Sequence, residues 1–354
     1  MEKHGAAALS GEIKTILKKV SRTLYLSVAV LPEPVRTCMG LGYLLCRALD
    51  TAVDTAGIPA SDKLKILSLA RALNDPGSRG ALLDRLRALS AFPAPQGERE
   101  LLLKFGKVLD LFAALPAEDK PLFTDLLGGI ASGMEMDVRS FPGGAPAALP
   151  HAADLERYCA LIGGVPGIFW ARLYLQAIRR STRGGFPAEK DAEMIGAALQ
   201  MTNILKDMSA DLRNGRCYMP QEDLDTRNMK PGDLLDKANM GRLREIVLKW
   251  VMWAVDRLDQ SEAFVSAIPK TEAALRAAAI WPVYWSMDTL EEVVRSNLLD
   301  PADRPKVGRG RIYGTIAATP PLLLSNTAFA RGYRFRRETL IGAITGGNYE
   351  GRPL

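Results

Sequence analysis

The chain has 354 residues, 47% hydrophobic and 24% charged, and 46 Lys and Arg against 40 Asp and Glu leave a formal net charge of +6. That length can bury a core as one large domain or two ordinary ones, while no apolar run approaches the roughly 20 residues a membrane-spanning helix needs. The opening MEKHGAAALSGEIK lacks a signal-peptide core, so a cytoplasmic setting is expected, and the dispersed basic residues carry no DNA- or RNA-recognition pattern, so no nucleic-acid partner is expected.

Apolar residues recur at three- and four-residue spacing and predict helices over 13–31, 35–56, 63–73, 81–89, 99–114, 120–139, 155–179, 188–213, 240–267 and 270–295. Alternating strand patterns are nearly absent. The breakers between helices (LPEP, GIPAS, NDPGSRG, FPAPQG, SFPGGAPAALP, STRGGFP, NGRCYMPQED, LLDPADRP) are too short and too mixed for interdomain linkers. One all-α domain spanning 1–354 is expected, closing in a basic tail from about residue 330. The helix over 155–179 contains Gly163, Gly164, Pro166 and Gly167; Pro166 cannot donate to the carbonyl of Ile162, so a bend or break is expected there.

Two histidines, His4 and His151, give a histidine metal site or a Ser/His/Asp triad little material, and Cys38, Cys46, Cys159 and Cys217 form no CxxC pair. The thiols are expected buried and reduced, and any metal would need carboxylate ligands, which favours magnesium or manganese.

Two helices carry such carboxylates. In GYLLCRALDTAVD, Tyr43, Arg47, Asp50 and Asp54 fall with Arg36 on one narrow stripe at about 100° per residue, and that stripe faces either water or a cavity where paired carboxylates hold metal. In QMTNILKDMSADLRNGRCYMP, Gln200, Asn203, Asp207 and Asp211 form one polar stripe and Thr202, Lys206, Ser209 and Arg213 another roughly opposite. If the second stripe is the solvent face, the first points inward, where unpaired carboxylates cost several kcal/mol. Each pair has the i to i+4 spacing that suits it to grasp magnesium from one side, leaving coordination positions for diphosphate oxygens beside Arg47 and Arg216. Salt-bridged structural helices are the alternative.

These motifs resemble the two aspartate-rich motifs of the squalene and phytoene synthases, head-to-head prenyl synthases of the all-α isoprenoid synthase fold. The resemblance continues in order through SRTLYL at Ser21, SGMEMD ending at Asp137 and YCALIGGVPG from Tyr158, and weakens after about Pro269. It implies a single large helical domain around a central cavity, in which Mg2+ held by Asp50, Asp54, Asp207 and Asp211 draws off the diphosphate of an allylic substrate. It further implies diphosphate binding by Ser21, Arg22, Arg47 and Arg216, with Tyr43, Gln200 and Asn203 beside them. Tyr158 matches a family tyrosine proposed to help a proton leave as the cyclopropane of presqualene or prephytoene diphosphate closes, and Gly133, Gly163, Gly164 and Gly167 would make room for isoprenoid chains.

CRALDT resembles the squalene synthase branch, which implies coupling of two farnesyl diphosphates and reduction by NADPH to squalene. Lys306 and Arg309 in PKVGRGR are the candidates for binding NADPH, and an ordinary solvated loop is the alternative. Dehydrosqualene or phytoene synthesis without reduction, and a non-catalytic prenyl-diphosphate-binding relative, are the other readings. Lys206 stands where the family commonly has arginine, and Val53 where eukaryotic squalene synthases have glutamate. The water-insoluble product motivates a peripheral contact of the tail arginines with anionic lipid.

Overall fold

The computed structural model describes residues 9–21, 24–178 and 187–346, which form two compact units interleaved in sequence: the described residues up to 139 with 168–178, and 140–167 with 187–346.

The first unit is built on helices α1 (Gly11–Ser21), α2 (Leu24–Ala29), α3 (Val35–Asp54), α4 (Ala60–Arg71), α5 (Pro76–Leu89), α6 (Gln96–Ala113) and α7 (Lys120–Ser140). Helix α3 is the most deeply set: Leu41, Leu44, Leu45, Ala48, Leu49 and Ala52 recur at helical spacing and are buried. At Gly42 even a methyl group would lie 2.9 Å from the Phe169 ring, so glycine lets that ring close on the helix. The chain leaves α3 where expected: both the hydroxyl and the N–H of Thr55 donate to the Thr51 carbonyl (2.7 and 3.1 Å), and Gly57 follows at φ +79°. Helix α5 starts one turn before the apolar pattern does, because Asp75 accepts from the Ser78 N–H and Pro76 opens the helix.

The second unit contains α8 (Ala152–Cys159), the start of α9 (Val165–Ile178), α10 (Glu189–Arg213), α11 (Gln221–Asp225), α12 (Met240–Leu258), α13 (Ser261–Ala267) and α14 (Ala273–Arg295). The irregularity expected near Pro166 is a π-helical turn, Ala160–Gly164, in which the Val165 N–H donates to the Ala160 carbonyl. The glycines around it serve helix packing. A Cβ on Gly163 would sit 2.1 Å from the Gly196 carbonyl oxygen, and one on Gly167 would sit 2.1 Å from that of Ala192. Gly163 and Gly167 therefore make room for the α10 backbone, a correction to the expectation that they accommodate isoprenoid chains. Among the described residues there is no clear transmembrane span: one continuous helical path, Ala152–Gln176, is long and apolar enough to cross a membrane by length and composition alone. Its glycine side is occupied by α10.

Three helices follow where no helix was expected: α15 (Arg309–Ala317), α16 (Thr319–Leu324) and α17 (Asn326–Thr345). Residues 330–345 are thus no tail but part of a helix of the unit. Phe329 stacks on Tyr284 of α14 at 5.4 Å, the Tyr284 hydroxyl donates to the Phe329 carbonyl (2.7 Å), and the Tyr333 hydroxyl donates to Asp259 (2.8 Å). Two of the arginines expected to meet lipid are committed to the protein: Arg336 pairs with buried Asp288 (3.1 Å) and Arg337 with Asp259 (3.1 Å). Arginines that pair with distant carboxylates interrupt the apolar spacing of Phe329, Ala330, Tyr333 and Leu340 there.

Candidate active site

Each aspartate pair is organised within its own unit. In the first, α3 presents half-buried Asp50 and, one turn on at its last residue, exposed Asp54. The Arg47 Nη1 donates to Asp50 Oδ2 at 2.5 Å and its Nη2 to Glu98 at the start of α6; the Thr51 hydroxyl reaches the same glutamate at 3.4 Å. Burial disfavours the charged guanidinium, but the carboxylates of Asp50 and Glu98 outweigh it and hold the Arg47 pKa above its ordinary value. Arg47 is therefore a permanent cation oriented by two carboxylates. The Tyr43 hydroxyl donates to the Val20 carbonyl (2.7 Å), tying α3 to the end of α1. Ser21 is buried and donates its hydroxyl proton to the Leu17 carbonyl at 2.5 Å, so in this conformation that proton is not offered to a phosphate. Arg22 lies outside the described residues. Arg36, on the same stripe, donates from Nε to the Leu31 carbonyl (2.8 Å).

In the second unit, α10 presents half-buried Gln200, Asp207 and Asp211 with exposed Asn203. This corrects the inward assignment of the stripe. The opposite stripe, expected to be wet, is partly core: Thr202 and Ser209 are buried, and the Thr202 hydroxyl satisfies itself on the Ala198 carbonyl (2.9 Å) and Ser286 of α14 (2.7 Å). Small hydroxyls can be buried at little cost once hydrogen-bonded, whereas carboxylates cannot. Lys206 answers its own puzzle: its Nζ donates to Asn203 Oδ1 (3.2 Å) and lies 3.3 Å from Asp207 Oδ2. It sits on the aspartate it precedes, as a point charge.

After α10, Gly215 at φ +79° turns the chain into the two-residue strand Arg216–Cys217, which pairs in parallel with Ala147–Ala148. That bridge sets half-buried Arg216 into a small pocket with Asp211, Met208 and Tyr218. Tyr158, buried at the end of α8, places its hydroxyl 3.2 Å from that of Tyr218, with ring centroids 4.9 Å apart; Phe141 packs edge-on against Tyr218. Lys306 and Arg309 are both exposed, and α15 starts at Arg309 with no side-chain cap. Arg311 of the same basic stretch turns inward to Glu291 (2.5 Å) and Asp288 (3.0 Å) of α14.

Three residues at these sites escaped the sequence: Glu98, which reads as an ordinary acidic first turn; Tyr218, which lies near the end of the second motif but on neither of its polar stripes; and Arg304, whose guanidinium pairs with Asp207 from the loop after α14. Among the described residues no three His, Cys, Asp or Glu side chains cluster closely enough to hold a metal ion unaided. The donor set still fits magnesium, which typically binds through one or two carboxylates and completes its shell with water and substrate phosphates.

The sequence pattern of the squalene/phytoene synthase family matches residues 17–311. The chain belongs to that family, whose members are prenyltransferases of head-to-head prenyl condensation. Relatives include a bifunctional lycopene cyclase/phytoene synthase of Colletotrichum graminicola, 27% identical over 72% of this chain and 41% of that protein. Phytoene synthase 1 of Arabidopsis thaliana is 25% identical over 89% of this chain and 67% of its own, and squalene synthase of Mycosarcoma maydis 28% identical over 58% and 34%. The chain thus spans less than half of the two fungal proteins. Among solved structures, TcSQS in complex with E5700 is similar at a TM-score of 0.69 with 21% identity, covering 94% of this chain and 96% of that one. A dehydrosqualene synthase with bound ligand is similar at 0.57 with 20% identity, covering 88% and 95%. The fold is the all-α isoprenoid synthase fold.

Proposed function

We propose that this squalene/phytoene synthase family member joins two molecules of farnesyl diphosphate head-to-head through presqualene diphosphate and reduces that intermediate with NADPH to squalene. The observation that carries the reading is the α10 stripe of half-buried Gln200, Asp207 and Asp211 with exposed Asn203, followed by Arg216 in the pocket of Asp211, together with the family match over residues 17–311.

Asp50, Asp54, Asp207 and Asp211 are the residues that would hold magnesium. When bound, the metal supplies electrostatic stabilisation to the departing diphosphate. Arg47 and Arg216 bind phosphate oxygens, for which a planar guanidinium fork is suited. Held by Glu98 on one side, Arg47 presents a fixed charge and loses little freedom on binding. As the second substrate's double bond attacks the allylic cation, a proton leaves the closing cyclopropane for the diphosphate just released, and the Tyr158 hydroxyl, within hydrogen-bond reach of that of Tyr218, would assist that transfer. Lys306 and Arg309, exposed around the uncapped start of α15, suit the phosphates of NADPH.

CRALDT in the first motif favours squalene; similarity to phytoene synthases over 89% of the chain supports the second reading, coupling without reduction. Incubation with labelled farnesyl and geranylgeranyl diphosphates, with and without NADPH, separates them. Squalene formed only with NADPH supports the proposal. One desaturated product under both conditions replaces it with the second reading, and diphosphate binding without turnover favours a non-catalytic relative.

A further inference from the structure

Asp207 carries two cations. Lys206 is its neighbour on α10; Arg304 arrives from the loop that follows α14, with a side chain 56% exposed that donates from Nη2 to Asp207 Oδ1. That loop is pinned on both sides of the arginine. Upstream, the Asn297 N–H donates to Asp303 (2.7 Å), and Asp300 accepts from the Ala302 N–H (2.9 Å) and pairs with Lys237 (2.8 Å). Downstream, Arg311 is locked to Glu291 and Asp288 of α14. Arg304 is therefore delivered to the carboxylate by an anchored segment.

A guanidinium proton and a divalent cation compete for the same carboxylate oxygen. Resting on the reading above that Asp207 is a metal ligand, we propose that Arg304 is the resident counter-ion of the second aspartate motif. A divalent cation must displace it, which couples the 301–308 loop to metal occupancy. The arginine offsets the repulsion between Asp207 and Asp211 one helical turn away, and so holds α10 ready at the expense of intrinsic metal affinity.

The experiment is a Mn2+ titration of the full chain, read by the electron paramagnetic resonance signal of free Mn2+, with no diphosphate present. Arg304→Ala is expected to bind Mn2+ about two- to fivefold more tightly than wild type, the range set by a partly exposed ion pair. Arg304→Lys should gain less. Lys270→Ala, which removes one positive charge at an exposed position away from the loop, should leave Mn2+ binding unchanged. Unchanged or weaker Mn2+ binding by Arg304→Ala, while Asp207→Asn loses binding, overturns the counter-ion role and leaves the metal reading standing, as does an equal gain in Lys270→Ala. If Asp207→Asn binds Mn2+ like wild type, the metal reading fails and the counter-ion role falls with it.

Discussion

Gly163 of the π-turn and Gly196 of α10 meet backbone to backbone: a Cβ on either would lie 2.1–2.2 Å from the other's carbonyl oxygen. No side chain occupies such a distance, and neither neighbour is a flexible group that can swing aside. Gly163→Ala is therefore expected to destabilise the protein by roughly 3 kcal/mol or more through overpacking, read as a lower urea midpoint. Gly232→Ala, at a position with nothing within 4 Å, should be close to neutral.

The Tyr158–Tyr218 hydroxyl pair sets a second expectation. Tyr218→Phe keeps the ring contacts with Tyr158 and Phe141 and removes only the hydroxyl partner. Folding stability should fall by about 1 kcal/mol. The rate of presqualene diphosphate formation should fall on the order of tenfold with KM little changed, as for a group acting on the transition state. An unchanged kcat would leave Tyr218 a packing residue.

Glu98 is expected to act through Arg47. Glu98→Ala removes one of the two carboxylates that orient the guanidinium, and should raise KM for farnesyl diphosphate about three- to tenfold with a smaller effect on kcat. Glu98→Gln retains an acceptor oxygen and should restore most of the loss. Equal defects in both variants would point to charge alone.

Burial pushes the thiols of Cys38 and Cys217 up from 9.0 to about 12, and raises Cys159 by the same cause. All four cysteines are free and three are buried, as the sequence led one to expect; Cys46 is half-buried. Because the folded-state values lie above the unfolded ones, the stability these thiols contribute is complete below about pH 9 and is lost as the pH rises toward 12. The urea midpoint should therefore fall across that window, and fall less steeply in a Cys38→Val, Cys217→Val variant. At pH 8 the folded protein should leave Cys38, Cys159 and Cys217 unmodified by a charged thiol reagent.

Much of the architecture was legible because burial and periodicity coincide in α3, α6, α7 and α10, whose ends fall within about three residues of the expected ones. The break near Pro166 was legible for the same local reason. What the sequence concealed depends on distant partners. Glu98 meets Arg47 across 51 positions and Arg304 meets Asp207 across 97, and neither partner carries a local signal. The facing of α10 was misread because Thr202 and Ser209 look polar yet are buried, Thr202 against Ser286, and α17 was overlooked because Arg336 and Arg337 are paired to buried or half-buried carboxylates. The tail arginines looked like lipid ligands for that reason.

The central claim is that the two aspartate pairs drive head-to-head coupling. The most direct measurement follows labelled farnesyl diphosphate with Mg2+ and NADPH, comparing wild type with the Asp50→Asn, Asp207→Asn double variant. The account predicts squalene from the wild type and a loss of coupling of at least about a thousandfold in the variant, with folding intact. Turnover retained by the double variant would contradict it.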